Sequence, residues 1–181
     1  HVSATGSAAP SELSRPRFHN PGEVNAVCQV LRSVRASPGT APTLAIITPY
    51  KAQVDKLAEK IDGAIHKGDL AHLREFKSAL ADGRFVSTVD AFQGNEADLV
   101  IFSLVRNNSG AGASALGFLR DDRRMNVALS RAKSKLVIVG SLDFLRESVR
   151  GVNPDGGEHD LSFLTRMIET IETLKTELRP D

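Results

Sequence analysis

The sequence predicts an α/β domain with a mainly parallel sheet and helices on both of its faces. Two observations carry this. Three short segments are continuously apolar, not alternating: TLAIIT at 43–48, LVIFSLV at 99–105 and KLVIVG at 135–140. Such runs suit strands covered on both sides. Between them lie segments with apolar residues at i, i+3, i+4 and i+7, and strands alternating with amphipathic helices define the parallel class.

The elements follow in order. Residues 1–20 are rich in Ser, Ala, Pro and Arg without periodicity and read as an irregular lead-in or linker. Asn20-Pro21-Gly22 opens a helix expected at 22–36, with Asn20 as N-cap and Pro21 in the first turn; Ser37-Pro38-Gly39 ends it. After the strand at 43–48, Val54, Leu57, Ala58 and Ile61 mark a helix over 50–66. A second amphipathic stretch at 69–81 predicts a short helical insertion, bounded at 66–82. The next strands are expected at 84–88 (RFVST) and 99–105, followed by a mobile Gly/Asn/Ser/Ala loop at 106–117. A helix over 122–132 buries Met125, Ala128, Leu129 and Ala132 before the strand at 135–140. The domain thus runs 21–149. Residues 150–181 form a Gly-rich linker and a helix at 160–178 striped with Leu161, Leu164, Ile168, Ile171, Leu174 and Leu178, with Glu169, Glu172 and Glu177 outward.

Composition narrows the function. At 181 residues there is room for one domain, and 41% hydrophobic with 25% charged residues is the globular range. No apolar run approaches the roughly 20 residues of a membrane span. HVSATGSAAP lacks both a starting Met and the basic and apolar regions of a signal peptide, so the chain reads as a piece of something longer, with His1 compatible with a tag remnant. One cysteine, Cys28, allows neither an internal disulfide nor a thiolate zinc cluster, and its apolar setting suggests a buried, inert thiol. His66 and His72 fall on different helix faces, so no metal site is expected. Net charge is only +1, but residues 120–135 hold six basic and two acidic side chains, a local net of +4 that suits a solvated face or an anion.

In open parallel sheets ligands collect at the carboxyl ends of strands, so the segments after each strand are the first candidates: 48–53, 88–98, 106–120 and Ser141. Two glycine patterns are decoys. Gly110-Ala111-Gly112 with Ala115 opens no helix, and after Gly63 and Gly68 stand Asp69 and Leu70 where a phosphate loop needs Lys and Ser or Thr. The chain therefore lacks the parts that cradle a triphosphate and hold magnesium, and a dinucleotide-binding enzyme rests on a loose match alone. Three polar clusters remain. Thr48, Pro49 and Tyr50 with Gln53 turn a strand into a helix whose N-terminus suits a backbone phosphate, or form a plain turn. Ser87, Thr88, Asp90, Gln93, Gly94 and Glu96 place hydroxyls, an amide, a flexible residue and carboxylates within ten positions, with Phe92 packing beneath the loop. Arg124 and Arg131, seven apart, border the apolar stripe of one predicted helix, where an arginine is costly unless paired or aimed at an anion.

Read in order, ITPYKAQ (47–53), STVDAFQGNEADLVIFSLVRNN (87–108) and GFLRDDRRMNVALSRAKSKLVIVG (117–140) closely resemble motifs IV, V and VI of superfamily 1B helicases, the nonsense-mediated-decay helicase and senataxin family, over about residues 20–145. The resemblance implies a RecA-like (P-loop NTPase-type, AAA_12-type) three-layer domain, the C-terminal motor half of an ATP-dependent DNA or RNA helicase with 5′ to 3′ polarity. It implies Arg131 as the arginine finger on the γ-phosphate, Gln93, Gly94 and Glu96 as nucleotide-coupled positions, and Arg124 as phosphate-facing or structural. Thr48, Pro49, Tyr50, Ser87, Thr88 and Asp90 match positions facing single-stranded nucleic acid. ATP with Mg2+ would be held mainly by an N-terminal RecA-like partner domain, and the isolated half would be inactive. A soluble location is implied, cytoplasmic or nucleoid-associated in a bacterium, nuclear or cytoplasmic in a eukaryote. The family's Gln-Tyr-Arg-Met-His-Pro stretch is absent, and 66–82 and the tail after 150 lie outside the match. The competing reading is a non-catalytic RecA-like module that grips nucleic acid or a partner; intact Gln93, Glu96 and Arg131 favour the motor.

Overall fold

A computed structural model describes residues 18–106, 113–150 and 161–177. The glycine pair at 110 and 112, residues 107–112 of the expected 106–117 loop and the 151–157 linker lie outside them, and the rest of that loop holds a short helix at Ala113–Leu116. Helix α1 (Pro21–Ser33) is capped as its sequence predicts: the Asn20 side chain accepts from the Glu23 amide and Pro21 occupies the first turn. The helix stops three residues short of Ala36, because Val34 is already extended. Strand β1 (Thr43–Thr48) and helix α2 (Lys51–His66) match expectation closely.

All pairings in the sheet are parallel. β1 lies at its middle and pairs with β4 (Ala97–Ser103) on one side, and β4 pairs with β5 (Ala132–Val139), which forms one edge. On its other side β1 is paired twice, by β2 (Lys77–Ser78) along its first residues and by β3 (Val86–Thr88) along its last. The 69–81 stretch is consequently not an α-helix. It folds as a 3-10 turn at Ala71–Glu75 followed by β2, and its apolar residues Leu70, Leu73 and Phe76 join the core.

Alternation along the central strands sorts two cores. Leu44, Ile46, Leu99 and Ile101 face α1 and α2, meeting Val27, Leu31, Leu57 and Ile61. Ala45, Ile47, Val100 and Phe102 face the opposite layer, meeting Met125, Leu145, Leu164 and Ile168. The result is the expected three-layer α/β domain. That second layer comprises α3 (Ala113–Leu116), α4 (Asp122–Leu129), α5 (Leu142–Arg150) and α6 (Ser162–Glu177). Helix α5 went unforeseen although LDFLRESVR carries the stripe; Ser141 caps it, accepting from the Phe144 amide, so this carboxyl-end residue serves the fold. Arg146 of α5 binds Asp143 and Glu172, so Glu172, outward as expected, is also paired. Cys28 is buried, and burial pushes its thiol pKa up.

The carboxyl end of β4 is closed by buried polar groups. Glu23 accepts from the Ser103 hydroxyl (2.6 Å) and the Val105 amide (2.9 Å), and Asn20 donates to the Val105 carbonyl (3.2 Å). Gln53 of α2 accepts from the Asn20 amide and donates to Ser103. Desolvation outweighs these bonds and raises the Glu23 pKa from 4.5 to about 7. A native pKa above the unfolded one means that the stabilising proton is fully held below pH 4.5 and lost as pH climbs toward about 7. Stability should therefore fall by up to about 3 kcal/mol across that window. Urea unfolding at stepped pH is expected to show the slope in the wild type and a flattened one in Glu23→Gln; equal slopes in both would assign the dependence elsewhere.

Candidate functional site

The predicted site residues divide between two ends of the sheet. At the carboxyl end, Thr48 and Thr88 sit on the same rung of the β1–β3 ladder, and the Val89 amide donates to the Thr48 carbonyl. Pro49 and Tyr50 lead from β1 into α2, Tyr50 as its N-cap without a side-chain cap bond. Thr48 is wholly buried and its hydroxyl has no partner, so its side chain reaches a ligand only if the turn opens. Ser87 is also buried, whereas Thr88 is half-buried and its hydroxyl accepts from the Ala91 amide.

Asp90 and Arg124 were expected to face different ligands, and they face each other. Their charged groups are 3.4 Å apart, and Asp121, the N-cap of α4, stands 3.7 Å from the same guanidinium. The Arg124 guanidinium also lies 5.4 Å from the Phe118 ring centre. Beside them Tyr50 accepts from the Phe118 amide, and Phe18 packs at 5.1 Å against the Tyr50 ring.

The second cluster precedes strands instead of following them. Glu96 and Arg131 flank the first rung of the β4–β5 pair, where Ala97 meets Ala132 and the Ala97 amide donates to the Arg131 carbonyl. Arg131 is therefore not on α4, which ends at Leu129, and the eclipsed Arg124–Arg131 pair does not form. Its guanidinium donates to the Val127 carbonyl and the Ser130 hydroxyl, and among the described residues no carboxylate pairs with it. Glu96 lies 3.9 Å from Lys133, and Gln93 and Gly94 are exposed, Gly94 at φ +86°. Only one of the two groups of candidate residues thus lies at the carboxyl ends of strands.

One loop joins the halves. Residues 89–96 leave β3 at Thr88 and arrive at β4 through Glu96, and Phe92, wholly buried, anchors their middle as expected. Its amide donates back to the Thr88 carbonyl. Among the described residues no three His, Cys, Asp or Glu side chains group to hold a metal, and no helix is long and apolar enough to cross a membrane.

These features coincide with a known class. A family model described as an AAA domain (AAA_12) matches residues 2–143. The chain is 34% identical over 128 residues to DNA polymerase alpha-associated DNA helicase A of Saccharomyces cerevisiae, covering 71% of this chain and 16% of that protein. It is 38% identical over 103 residues to helicase sen1 of Schizosaccharomyces pombe, covering 57% and 5%, and 41% identical over 100 residues to the Regulator of nonsense transcripts 1 homolog of Drosophila melanogaster, covering 54% and 7%. This chain belongs to the AAA_12 family, in the superfamily 1 helicase branch where these relatives fall. It spans a sixth or less of the length of those three relatives.

Burial separates Phe92 from its exposed neighbour Asp90. Replacing Phe92 by Ala is expected to cost about 3–5 kcal/mol. Asp90→Asn removes a solvent-screened pair and should cost less than about 0.5 kcal/mol. Urea unfolding of both variants checks the contrast; a loss for Asp90→Asn matching that of Phe92→Ala would mean that the pair carries structure.

Proposed function

We propose that this chain is the C-terminal RecA-like motor half of an ATP-dependent superfamily 1B helicase acting on single-stranded DNA or RNA. The observation that carries the reading is Arg131: a guanidinium at the amino end of β5, without a carboxylate partner among the described residues, one loop away from Thr88 at the other end of the sheet. Its unspent donors suit a phosphate oxygen. The chain has no phosphate-binding loop and no metal-ligating cluster among the described residues, so triphosphate and Mg2+ would be held mainly by an N-terminal RecA-like domain.

In this reading bound ATP supplies an anionic γ-phosphate, and this chain's residues do the rest. Arg131 reaches across the domain cleft to stabilise charge on the transferred group. Gln93, Gly94 and Glu96 sense the nucleotide from the neighbouring loop, with Arg124 holding that loop through Asp90. Movement of the loop shifts Asp90 relative to Thr88, Pro49 and Tyr50, which stay fixed by the β1–β3 ladder, backed by buried Ser87, and grip the phosphodiester backbone without reading bases. Thr48 supports the turn from beneath. Such grip is common to DNA and RNA.

The test is ATP hydrolysis by this chain and by its full-length protein, with and without single-stranded DNA or RNA. The full-length protein is expected to be stimulated and the chain alone silent; hydrolysis by the purified chain would overturn the reading. In the full-length protein, Arg131→Ala should lower turnover by about 10³-fold or more while nucleic-acid affinity stays near wild type. Thr88→Ala should instead weaken binding a few-fold on every base sequence. Hydrolysis by Arg131→Ala at the wild-type rate would remove Arg131 from the reaction and leave the non-catalytic module standing.

A further inference from the structure

Arg106 follows the end of β4 and belongs to neither cluster above. The chain reaches it through Val105, whose φ of +68° is unusual for a β-branched residue. The Arg106 amide donates to the Leu104 carbonyl at 2.8 Å, so Val105 is the centre of a γ-turn with positive φ, the rare and strained form. Strain of this kind persists where surrounding groups over-determine it. Here both backbone polar atoms of Val105 are held from α1, the amide by Glu23 and the carbonyl by Asn20, with Gln53 fixing Asn20.

The turn brings the Arg106 guanidinium over the ring of Phe18, 4.5 Å from its centre. Phe18 in turn packs on Tyr50. Gly117, at φ +54°, leaves the room: a Cβ there would stand 2.5 Å from Arg106 Nη2 and 2.8 Å from the Tyr50 hydroxyl. A cation held by an aromatic face and aligned beside a phenol remains chemically unspent. Its Nε is buried without a hydrogen-bond partner, and among the described residues no carboxylate pairs with it. A half-buried guanidinium without a carboxylate to balance it is costly, and a phosphate oxygen at its rim is the complement that supplies the opposite charge.

We infer that Arg106 is a further contact to the phosphodiester backbone of single-stranded nucleic acid, seated on Phe18 beside Tyr50 and aimed by the strained turn that Glu23 and Asn20 hold. The inference rests on the helicase reading, because that reading puts nucleic acid across the carboxyl ends of β1 and β3. Glu23 and Asn20 are positioning residues, and Arg106 touches the ligand.

The experiment is binding of fluorescein-labelled single-stranded oligonucleotides, in DNA and RNA form, to the full-length protein over a series of salt concentrations. Arg106→Gln is expected to weaken binding about tenfold on every base composition. The slope of log affinity against log salt should become shallower by about 0.7, the loss of one single-strand phosphate contact. Wild-type affinity, or reduced affinity with an unchanged slope, would overturn the assignment. Where Arg106→Gln melts well below wild type, Arg106→Lys is read instead. Lysine keeps the charge but not the planar fork, so binding should weaken several-fold with the slope retained; wild-type affinity in that variant overturns the assignment. A wild-type protein that binds neither polymer would overturn the helicase reading beneath it, an outcome separate from failure of Arg106 alone.

Discussion

Much of this domain turns on how β4 ends. Its strand is buried on both faces and paired on both sides, so its last polar groups have no water to turn to once the ladder stops. α1 supplies the partners. Its N-terminal turn presents Asn20 and Glu23 to Ser103 and Val105, and Gln53 ties that turn to α2. The cost is a carboxyl kept away from water with its pKa pushed to about 7. The return is that α1, α2 and β4 meet at one fixed point beside Tyr50. Each surface residue at this end inherits its position from that point.

A similar arrangement holds the opposite end. Asp98 accepts from both the amide and the hydroxyl of Thr43 at 2.8 Å, so the amino ends of β1 and β4 are clamped by one carboxylate. The bonds from Thr43 hold the Asp98 pKa below its usual range, and the group stays charged where Glu23 tends toward neutrality. Two acidic residues, one part-buried and one fully buried, thus lock opposite ends of the same strand with their pKa values shifted in opposite directions.

What the sequence could reveal followed from what kind of interaction was involved. β1, α2 and the α1 cap were legible because local pattern and tertiary burial agree there: TLAIIT is apolar throughout and Asn20-Pro21 is a start signal in its own right. The 69–81 stretch misled because Leu70, Leu73 and Phe76 have helical spacing, yet pairing Lys77 and Ser78 with β1 satisfies the sheet better than another turn of helix. α5 lies directly before the glycine-rich stretch that opens at Gly151, which masks it as linker although the residues of LDFLRESVR carry the stripe. At the site, residue types were legible and their grouping was not. Nothing in chain order says that Asp90 meets Arg124, that Arg131 lies past its helix, or that Glu23 and Gln53 are buried together. Those are long-range facts, set by the sheet register. Arg106 stands within the 87–108 stretch, but that no carboxylate among the described residues pairs with it is visible only in three dimensions.

The separation of the two clusters constrains how they can communicate. Arg131 and Glu96 stand where β4 and β5 begin, and Thr88 and Tyr50 where β3 and β1 end, so no side chain spans the gap. Seven residues of β4 at about 3.3 Å each set the distance. A signal passing through the strands would have to stretch ladders that are buried on both sides, and close-packed interiors do not deform in that way. The loop at 89–96 is the alternative route, since it touches both ends and is anchored in the core at Val89 and Phe92, with exposed ion pairs at Asp90 and Glu96. Between those anchors Gln93 and Gly94 are exposed, so the loop carries fewer packing contacts than the strands. Under the proposed helicase reading, coupling a phosphate to a backbone grip would place compliance in that loop and stiffness in the sheet, and burial along 88–103 is distributed in the same way.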